Sequence, residues 1–416
     1  MPVIAPIQVW FVNHYALAPD QAGGTRHHTL ARLMQDQEVE VTLIASSLDH
    51  ASRQDTRLAA GEIIKVNMEE GVRFVWLKTP AYTGNNLGRG RNMLEFARAV
   101  LALKPSHDLP RPDVVVGSSP HLFAGFAALL LARRFQVPFV LEIRDIWPKT
   151  LVDLGGMSER HPLVMVFGRL EKLLYRQARV VISLLPGARS HMEQVAGQSV
   201  PFVWLPNGVN AQPGPIVPMT DSSPTFDVIY AGAHGAANNL DTVLDAAALL
   251  QRCGETGGRP VRFVLVGDGP EKVRLQDAAK QRGLSNIVFR DPVPKREIPA
   301  TLAAAAACLM PLKDSPVFAH GVSPNKLFDY FAAARPVIFA INTPFSAVDQ
   351  AGAGLSIPPE DPQALADAVL HLAALPLAER QAMGERGRAY VAENHDMRGL
   401  ARKLANVLRV VAGQKV

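Results

Sequence analysis

Cysteine is nearly absent: two occur in 416 residues, Cys253 and Cys308. They lie in separate elements without metal-ligand spacing, which excludes a disulfide-stapled fold and a thiolate zinc site and predicts free buried thiols in a reducing cytoplasm. Long apolar runs are lacking as well. The longest uncharged ones, "LFAGFAALLLA" (122–132) and "LAAAAACLMPL" (302–312), are too short to span a bilayer. The opening "MPVIAPIQVWFVNHY" has no basic leader and no small-residue cleavage site, which argues against a secretory signal. There is also no zinc finger, no RNA-binding aromatic signature and no long basic run, so nucleic acid is not an expected partner.

Apolar content of 48% with 19% charged residues is globular. The length exceeds the usual capacity of one core and predicts two domains of roughly 200 residues. Of the net charge of +5, residues 1–205 carry most, with 22 Lys and Arg against 18 Asp and Glu. An anionic lipid surface is the partner this asymmetry leaves in view.

Strand-like and helix-like runs alternate through the first half, from "IQVWFVNHY" and "TRHHTLARLMQ" to "PFVLEIRDIWP". The strands are almost continuously apolar, as parallel strands covered on both faces should be. A proline-rich stretch, "AQPGPIVPMTDSSP" (211–224), reads as a linker, and a second alternation runs from "FDVIYAGAH" to "PVIFAIN". The expected fold is α/β, with two Rossmann-like domains facing across a cleft: an acceptor-binding domain over 1–205, a linker over 206–225, a donor domain over 226–395, and a C-terminal helix over 396–416 packing back on the first domain.

Ligands of open parallel sheets bind at the carboxyl ends of the strands. Glycine-rich loops stand there: Gly23-Gly24, "GAHGAANN" with Gly235, and "GDGPE" with Gly267 and Asp268. Glycine at each is also what close strand–helix packing requires. In "GVSPNKLFDYFAAARPVIF", Ser323 reads as an N-cap and Pro324 as the first helical residue. Asn325 and Lys326 then fall in the positive first turn, where a cation is unfavourable by a few tenths of a kcal/mol unless an anionic ligand occupies the helix end.

Taken in order, Gly23-Gly24, "LPNGVN", "YAGAHGAANNLDTVLDAA", "FVLVGDGPE" and "LFDYFAAARPVI" resemble glycosyltransferase family 4, retaining GT-B enzymes that use nucleotide-diphosphate sugars. "EIRDIWP" resembles a narrower branch that transfers amino sugars of the L-fucosamine type in O-antigen and capsule synthesis, with Arg-Asp in place of the more usual His-Asp. Two departures stand out. Gly321 replaces the first of the family's two acidic residues, and Ala233 and Asn238 occupy the positions of its diphosphate-binding basic pair. The resemblance therefore implies that Lys326 supplies the missing cation and that Asp329 accepts hydrogen bonds from the ribose hydroxyls. It further implies donor contacts from His234, Gly235, Asn238, Gly267, Asp268, Val322, Ser323, Pro324 and Asn325, and base contacts from the loop around Val293. No Asp-x-Asp pair occurs, so activity without a metal or other cofactor is expected.

Arg144 and Asp145 end a strand. They fit a cation for donor or acceptor and a residue that orients or deprotonates the acceptor hydroxyl; a structural ion pair is the alternative. His14, Gly23, Gly24, Arg26, Gly117, Ser118, Ser119 and Pro120 are acceptor-side candidates. In 162–179, Arg169, Lys172, Arg176 and Arg179 recur at helical spacing beside Leu163, Val166, Phe167, Leu170 and Leu174, a pattern shared by membrane-surface helices and by ordinary helices with a basic solvent face. The expected protein is a cytoplasmic transferase on the inner face of the membrane, moving an N-acetylated amino sugar from a UDP donor to a polyprenyl-diphosphate-linked saccharide. A GT-B epimerase-like isomerase and a non-catalytic binding protein remain as alternatives.

Overall fold

Parallel strands that are apolar along their whole length need helices on both faces, and the chain meets that need twice. The computed structural model describes residues 5–414 except 22, 51, 83, 85–86, 105–108, 120, 210–216 and 254–258. Pro120 and the side chain of Cys253 lie outside the described residues, whereas Cys308 is free and buried.

The first unit comprises Met1–Asn207 and Met397–Val416. Its strands are β1 (Ile7–Val12), β2 (Val39–Ser46), β3 (Ile64–Glu69), β4 (Val72–Leu77), β5 (Val114–Ser118), β6 (Phe139–Ile143), β7 (Val180–Ser183) and β8 (Phe202–Trp204), in the order β3-β4-β2-β1-β5-β6-β7-β8. All pairs are parallel except β3 with β4, an antiparallel edge hairpin whose first strand has no fully buried residue. Its helices are α1 (Arg26–Met34), α2 (Leu87–Ala102), α3 (Leu122–Phe135), α4 (Lys149–Asp153), α5 (Pro162–Gln177), α6 (Ala188–Ala196) and, after the whole second unit, α14 (Met397–Val411). Phe96, Leu131, Phe167, Leu174 and Met192 pack α2, α3, α5 and α6 on one face of the sheet. Leu30 and Met34 of α1, with Leu400, Leu404 and Leu408 of α14, cover the other. Helix α5 buries Val164, Phe167, Glu171, Leu174 and Tyr175. Of the apolar residues expected beside its basic stripe, Phe167 and Leu174 therefore belong to the core, while Leu163 and Val166 point outward with Met165.

The second unit, Gly208–Asp396, contains β9 (Phe226–Ala231), β10 (Val261–Val266), β11 (Ile287–Arg290), β12 (Ala307–Pro311), β13 (Val337–Ala340) and β14 (Gly354–Ile357), all parallel, in the order β11-β10-β9-β12-β13-β14. The helices α7 (Leu240–Cys253), α8 (Lys272–Gln281) and α12 (Pro362–Ala374) cover one face. The other face carries α9 (Ile298–Ala303), α10 (Asn325–Ala332), α11 (Ala347–Ala351) and α13 (Leu377–Asn394). The end of the proline-rich stretch is fastened to this unit: Asp221 pairs with the buried Arg380 and with Arg259, both at 2.8 Å, and Arg335 donates to the Val217 carbonyl.

Leu404 is 1% exposed in the core shared by α1 and α14. Leu404→Ala is expected to lower the unfolding free energy of the first unit by about 2–5 kcal/mol, while Arg402→Ala on the exposed side changes it by less than about 0.5 kcal/mol. Denaturant unfolding followed by a probe in each unit measures both.

Candidate functional site

The order of the second sheet reverses between β9 and β12, so the loops that follow these strands diverge and leave a crevice at their carboxyl ends. The loop after β9 holds Gly232–Asn239, and that after β10 holds Gly267, Asp268 and Gly269. Gly267 and Gly269 have φ of +147° and +156°. A Cβ on Gly267 would stand 1.9 Å from the Gly232 oxygen. Only glycine lets these loops touch, which they do when the His234 N–H donates to the Asp268 carbonyl at 2.8 Å.

Helix α10 enters from the β12 side. It begins at Asn325, with Pro324 in the capping position. The expected Ser323 cap and helical Pro324 are thus corrected by one residue: proline fixes φ but not ψ, and Pro324 keeps an extended ψ of 126°. Lys326 is the second helical residue. Its Nζ donates to Tyr230 Oη and to Asn238 Oδ1, each at 2.9 Å, and lies 4.5 Å from the centre of the Tyr230 ring. Tyr230 Oη and Asn238 Nδ2 in turn donate to the Ala233 carbonyl at 2.7 and 3.0 Å. A Cβ on Gly232 would meet Lys326 Nζ at 2.9 Å, so glycine keeps the lysine's path open. Tyr330, one turn further along α10, accepts from the Ala231 N–H at 2.9 Å.

No carboxylate lies within ion-pair reach of Lys326 among the described residues. Burial lowers its ammonium to about 8. An ammonium has three donors; protein oxygens occupy two. Asp329, three residues on, makes no side-chain hydrogen bond among the described residues, and burial raises its carboxyl to about 6, with Lys295 opposing. One cation and one carboxylate, both underemployed, thus share the first turns of one helix. The His234 imidazole is buried between the rings of Tyr230 and Phe289, each 6.1 Å away, and burial holds it below its usual value. Neither of its ring nitrogens has a hydrogen-bond partner among the described residues. Of the remaining donor-side residues, Asp268 and Asn325 are exposed, Gly235, Val322, Ser323 and Pro324 are half-buried around the loop and helix start, and Val293 packs its side chain on the core.

In the first unit the carboxyl ends of β1, β5 and β6 carry a buried polar layer. Glu142 accepts from Ser118 Oγ at 2.6 Å and from His27 Nε2 at 2.7 Å, with Arg26 Nη2 at 3.5 Å. Burial alone would raise its carboxyl; His27 and Arg26 overcome that and hold it far below the usual range. Arg26 also donates to the carbonyls of Leu205 and Pro206 at 3.0 and 2.8 Å. Arg26 and Ser118 are therefore braces beneath the site rather than acceptor contacts. The Ala124 N–H donates to His121 Nδ1, so His121 carries its proton on Nε2 and gives it to His14 Nδ1 at 2.7 Å. Burial keeps both rings neutral, and His14 is stacked between Tyr15 and Phe96.

Above this layer, Ser119 Oγ accepts from the Arg144 N–H at 2.8 Å. Arg144 is half-buried and Asp145 exposed, and no ion pair joins them among the described residues. Asp145 keeps an open surface while the protein around its carboxyl strips enough water to raise it, with Arg144 opposing. Gly23 has φ of +135°, and both Gly23 and Gly24 are exposed. Gly117 lies within β5, where a Cβ would come within 2.9 Å of Gly125, so its glycine serves strand–helix packing. Sequence reasoning missed Asn13, His27, His121, Glu142 and Tyr230. The available signal was Glu142 itself, a charge inside the otherwise apolar run "FVLEI", which a buried strand tolerates only with partners.

Comparison with known proteins bears on the family and the fold. The glycosyl transferase 4-like domain family matches residues 22–208, and the glycosyl transferases group 1 family matches 225–374. A Pseudomonas aeruginosa protein named as glycosyltransferase WbjE is 24% identical over 339 residues, covering 77% of this chain and 81% of its own. An Escherichia coli protein named as colanic acid biosynthesis glycosyl transferase WcaI is 24% identical over 366 residues, covering 82% and 85%. Anabaena HepE, crystallised with UDP and glucose, superposes with a TM-score of 0.67 at 13% identity, over 97% of this chain and 100% of its own. The chain is a GT-B glycosyltransferase, with a family 4-like first domain and a group 1 second domain.

Proposed function

We propose that this enzyme is a retaining, metal-independent transferase that moves an N-acetylated amino sugar from a UDP donor to a polyprenyl-diphosphate-linked saccharide at the inner face of the cell membrane. The observation that carries the donor half is Lys326, fixed by Tyr230 and Asn238 with one donor left over, at a helix N-terminus whose amides also favour an anion. It supplies the charge that Ala233 and Asn238 lack. Asp329 suits the ribose, because an ionised carboxylate accepts from two hydroxyls at once. The UDP held by HepE and the colanic acid biosynthesis role in the name of WcaI support the same reading. The retaining outcome rests on the family resemblance. Asp145, exposed beside the fixed Arg144, is the group that orients the acceptor hydroxyl and takes its proton as the new bond forms.

The membrane part rests on α5. Leu163, Met165 and Val166 are 40%, 47% and 50% exposed. Arg169, Lys172 and Arg176 of α5 are exposed as well, with no carboxylate in ion-pair reach among the described residues; Arg179, expected on the same helical face, is exposed beyond the helix end at Gln177, because Ala178 is extended. An apolar end continued by a bare basic stripe suits an anionic bilayer surface.

Lys326→Ala should weaken UDP by roughly 1.5–3 kcal/mol while barely changing uridine, and Asp329→Ala should weaken both; equal UDP affinity in wild type and Lys326→Ala would overturn the donor assignment. UDP binding requires charged Lys326 and ionised Asp329, so calorimetric affinity should peak between about pH 6 and pH 8. Above that window Lys326 loses its proton and affinity should drop by about tenfold by pH 9, a fall absent in Lys326→Ala. Asp145→Asn should lower turnover about 100-fold with donor affinity unchanged. Supplying the donor alone and recovering an altered sugar would instead favour an isomerase. Reversing Arg169, Lys172, Arg176 and Arg179 to glutamate should release the protein from anionic vesicles at low salt without loss of turnover on a soluble acceptor; continued sedimentation with vesicles would leave the stripe as a solvated face.

A further inference from the structure

A groove of 640 Å³ opens on the first unit, between the β3–β4 hairpin and α2, apart from the polar layer described above. Its volume is that of a small-molecule site. One wall is Ile63, Ile64 and Leu77; the facing wall is Ala99, Ala102 and Leu103. Ile63 forms a lip, 71% exposed. The groove is built rather than loose, because Asn92 of α2 is buried and donates to Thr79 Oγ1 and to the Pro80 carbonyl at 2.9 and 2.8 Å, tying the segment after β4 to the helix.

Its charge is one-sided. Arg91, Glu95, Arg98, Ala99 and Ala102 recur on one side of α2, charged first and apolar afterwards. Glu95 is taken by Arg98 at 2.7 Å. Lys78 and Arg91 are exposed, and neither has a carboxylate in ion-pair reach among the described residues. Lys78 follows the carboxyl end of β4, the end of the sheet at which His14 and Asp145 also lie. From Arg91 to Ala102 the helix rises about 16 Å. The groove therefore has two unpaired cations at the end nearest the sheet's crevice and an apolar trough leading away from it.

We infer that this groove holds the lipid anchor of the acceptor, with Lys78 and Arg91 on the diphosphate and the first isoprene units between Ile63, Ile64 and Leu77 on one side and Ala99 and Ala102 on the other. The inference rests on the proposed acceptor class, and it adds the place where that class is recognised. A diphosphate matches the two unpaired cations, and a branched hydrocarbon matches the apolar walls beside the mutually paired Glu95 and Arg98.

Farnesyl diphosphate and inorganic diphosphate serve as probes in calorimetric titrations of the full chain with UDP saturating, so that Lys326 is already engaged. Wild type should bind farnesyl diphosphate at least tenfold more tightly than inorganic diphosphate. Ala99→Phe, which fills the trough, should erase that difference, and Ile63→Glu at the exposed lip should do the same without depending on how the core tolerates a larger side chain. Lys78→Ala with Arg91→Ala should weaken both probes about tenfold. UDP affinity should be unchanged in every variant, so a failure of the donor assignment, visible as absent UDP binding, is separate from a failure here. Farnesyl diphosphate bound no more tightly than inorganic diphosphate, or bound equally by the filled groove, overturns the inference. So does sedimentation showing a wild-type dimer that Ile63→Glu splits, since the open β3 edge and its groove would then join two copies of the chain.

Discussion

A lysine in the first turn of a helix is repelled by the helix it belongs to, and it keeps a single position only if neighbouring oxygens hold it. In the second unit Tyr230 from the end of β9 and Asn238 from the following loop do so. Much of the local structure depends on this grip. Gly232 must lack a side chain for the ammonium to pass, Ala233 must present its carbonyl to both holders, and α10 must meet the end of β9 at the angle that Tyr330 also enforces. The helix start, the glycine loop and the strand end thus form one rigid seat. What remains unsatisfied within it, a third ammonium donor and an unpaired Asp329, is what an anionic nucleotide would complete.

The architecture was legible because it is written in local patterns. Near-continuous apolar strands alternating with amphipathic runs admit few arrangements other than doubly wound sheets, and the two alternations on either side of a proline-rich stretch correspond to the two units. The antiparallel β3 escaped notice for a related reason. As an exposed edge strand it buries little, so the sequence from Ile64 to Glu69 carries no apolar run that marks the others. The start of α10 was misplaced by one residue because Ser-Pro reads equally as cap and first residue or as the last two residues outside, and only ψ of Pro324 distinguishes them.

The site was legible in part. Lys326 and Asp329 could be singled out from the helix-start pattern together with the missing cations at Ala233 and Asn238. What could not be read was that Asn238, viewed as a loss, holds Lys326 in place. That role is a contact across 88 residues of sequence, and nothing in the local pattern encodes it. The same holds in the first unit, where Glu142 meets His27 across 115 residues and Arg26 across 116. Candidates chosen by proximity to strand ends, such as Arg26, Ser118 and His14, proved to be the buried layer beneath the surface, because strand-end residues alternate between pointing inward and outward and the sequence does not say which loop residue resumes the outward direction.

The two units treat buried charge in opposite ways, and the contrast separates support from function. A carboxylate taken from water must be given donors or lose its proton. Glu142 is given hydroxyl, imidazole and guanidinium and stays ionised far below the usual range. Asp329 and Lys326 are dehydrated without full compensation, and both shift toward neutrality. A protein selected for stability alone would pair them with each other or expose them, since either choice removes the penalty at no cost to packing. Leaving them underemployed is favourable only if a bound molecule supplies the missing partners: an anion for the ammonium, hydroxyl donors for the carboxylate. A nucleotide carries both within a few ångströms, and two residues on adjacent turns of α10 offer the complementary pair at that spacing.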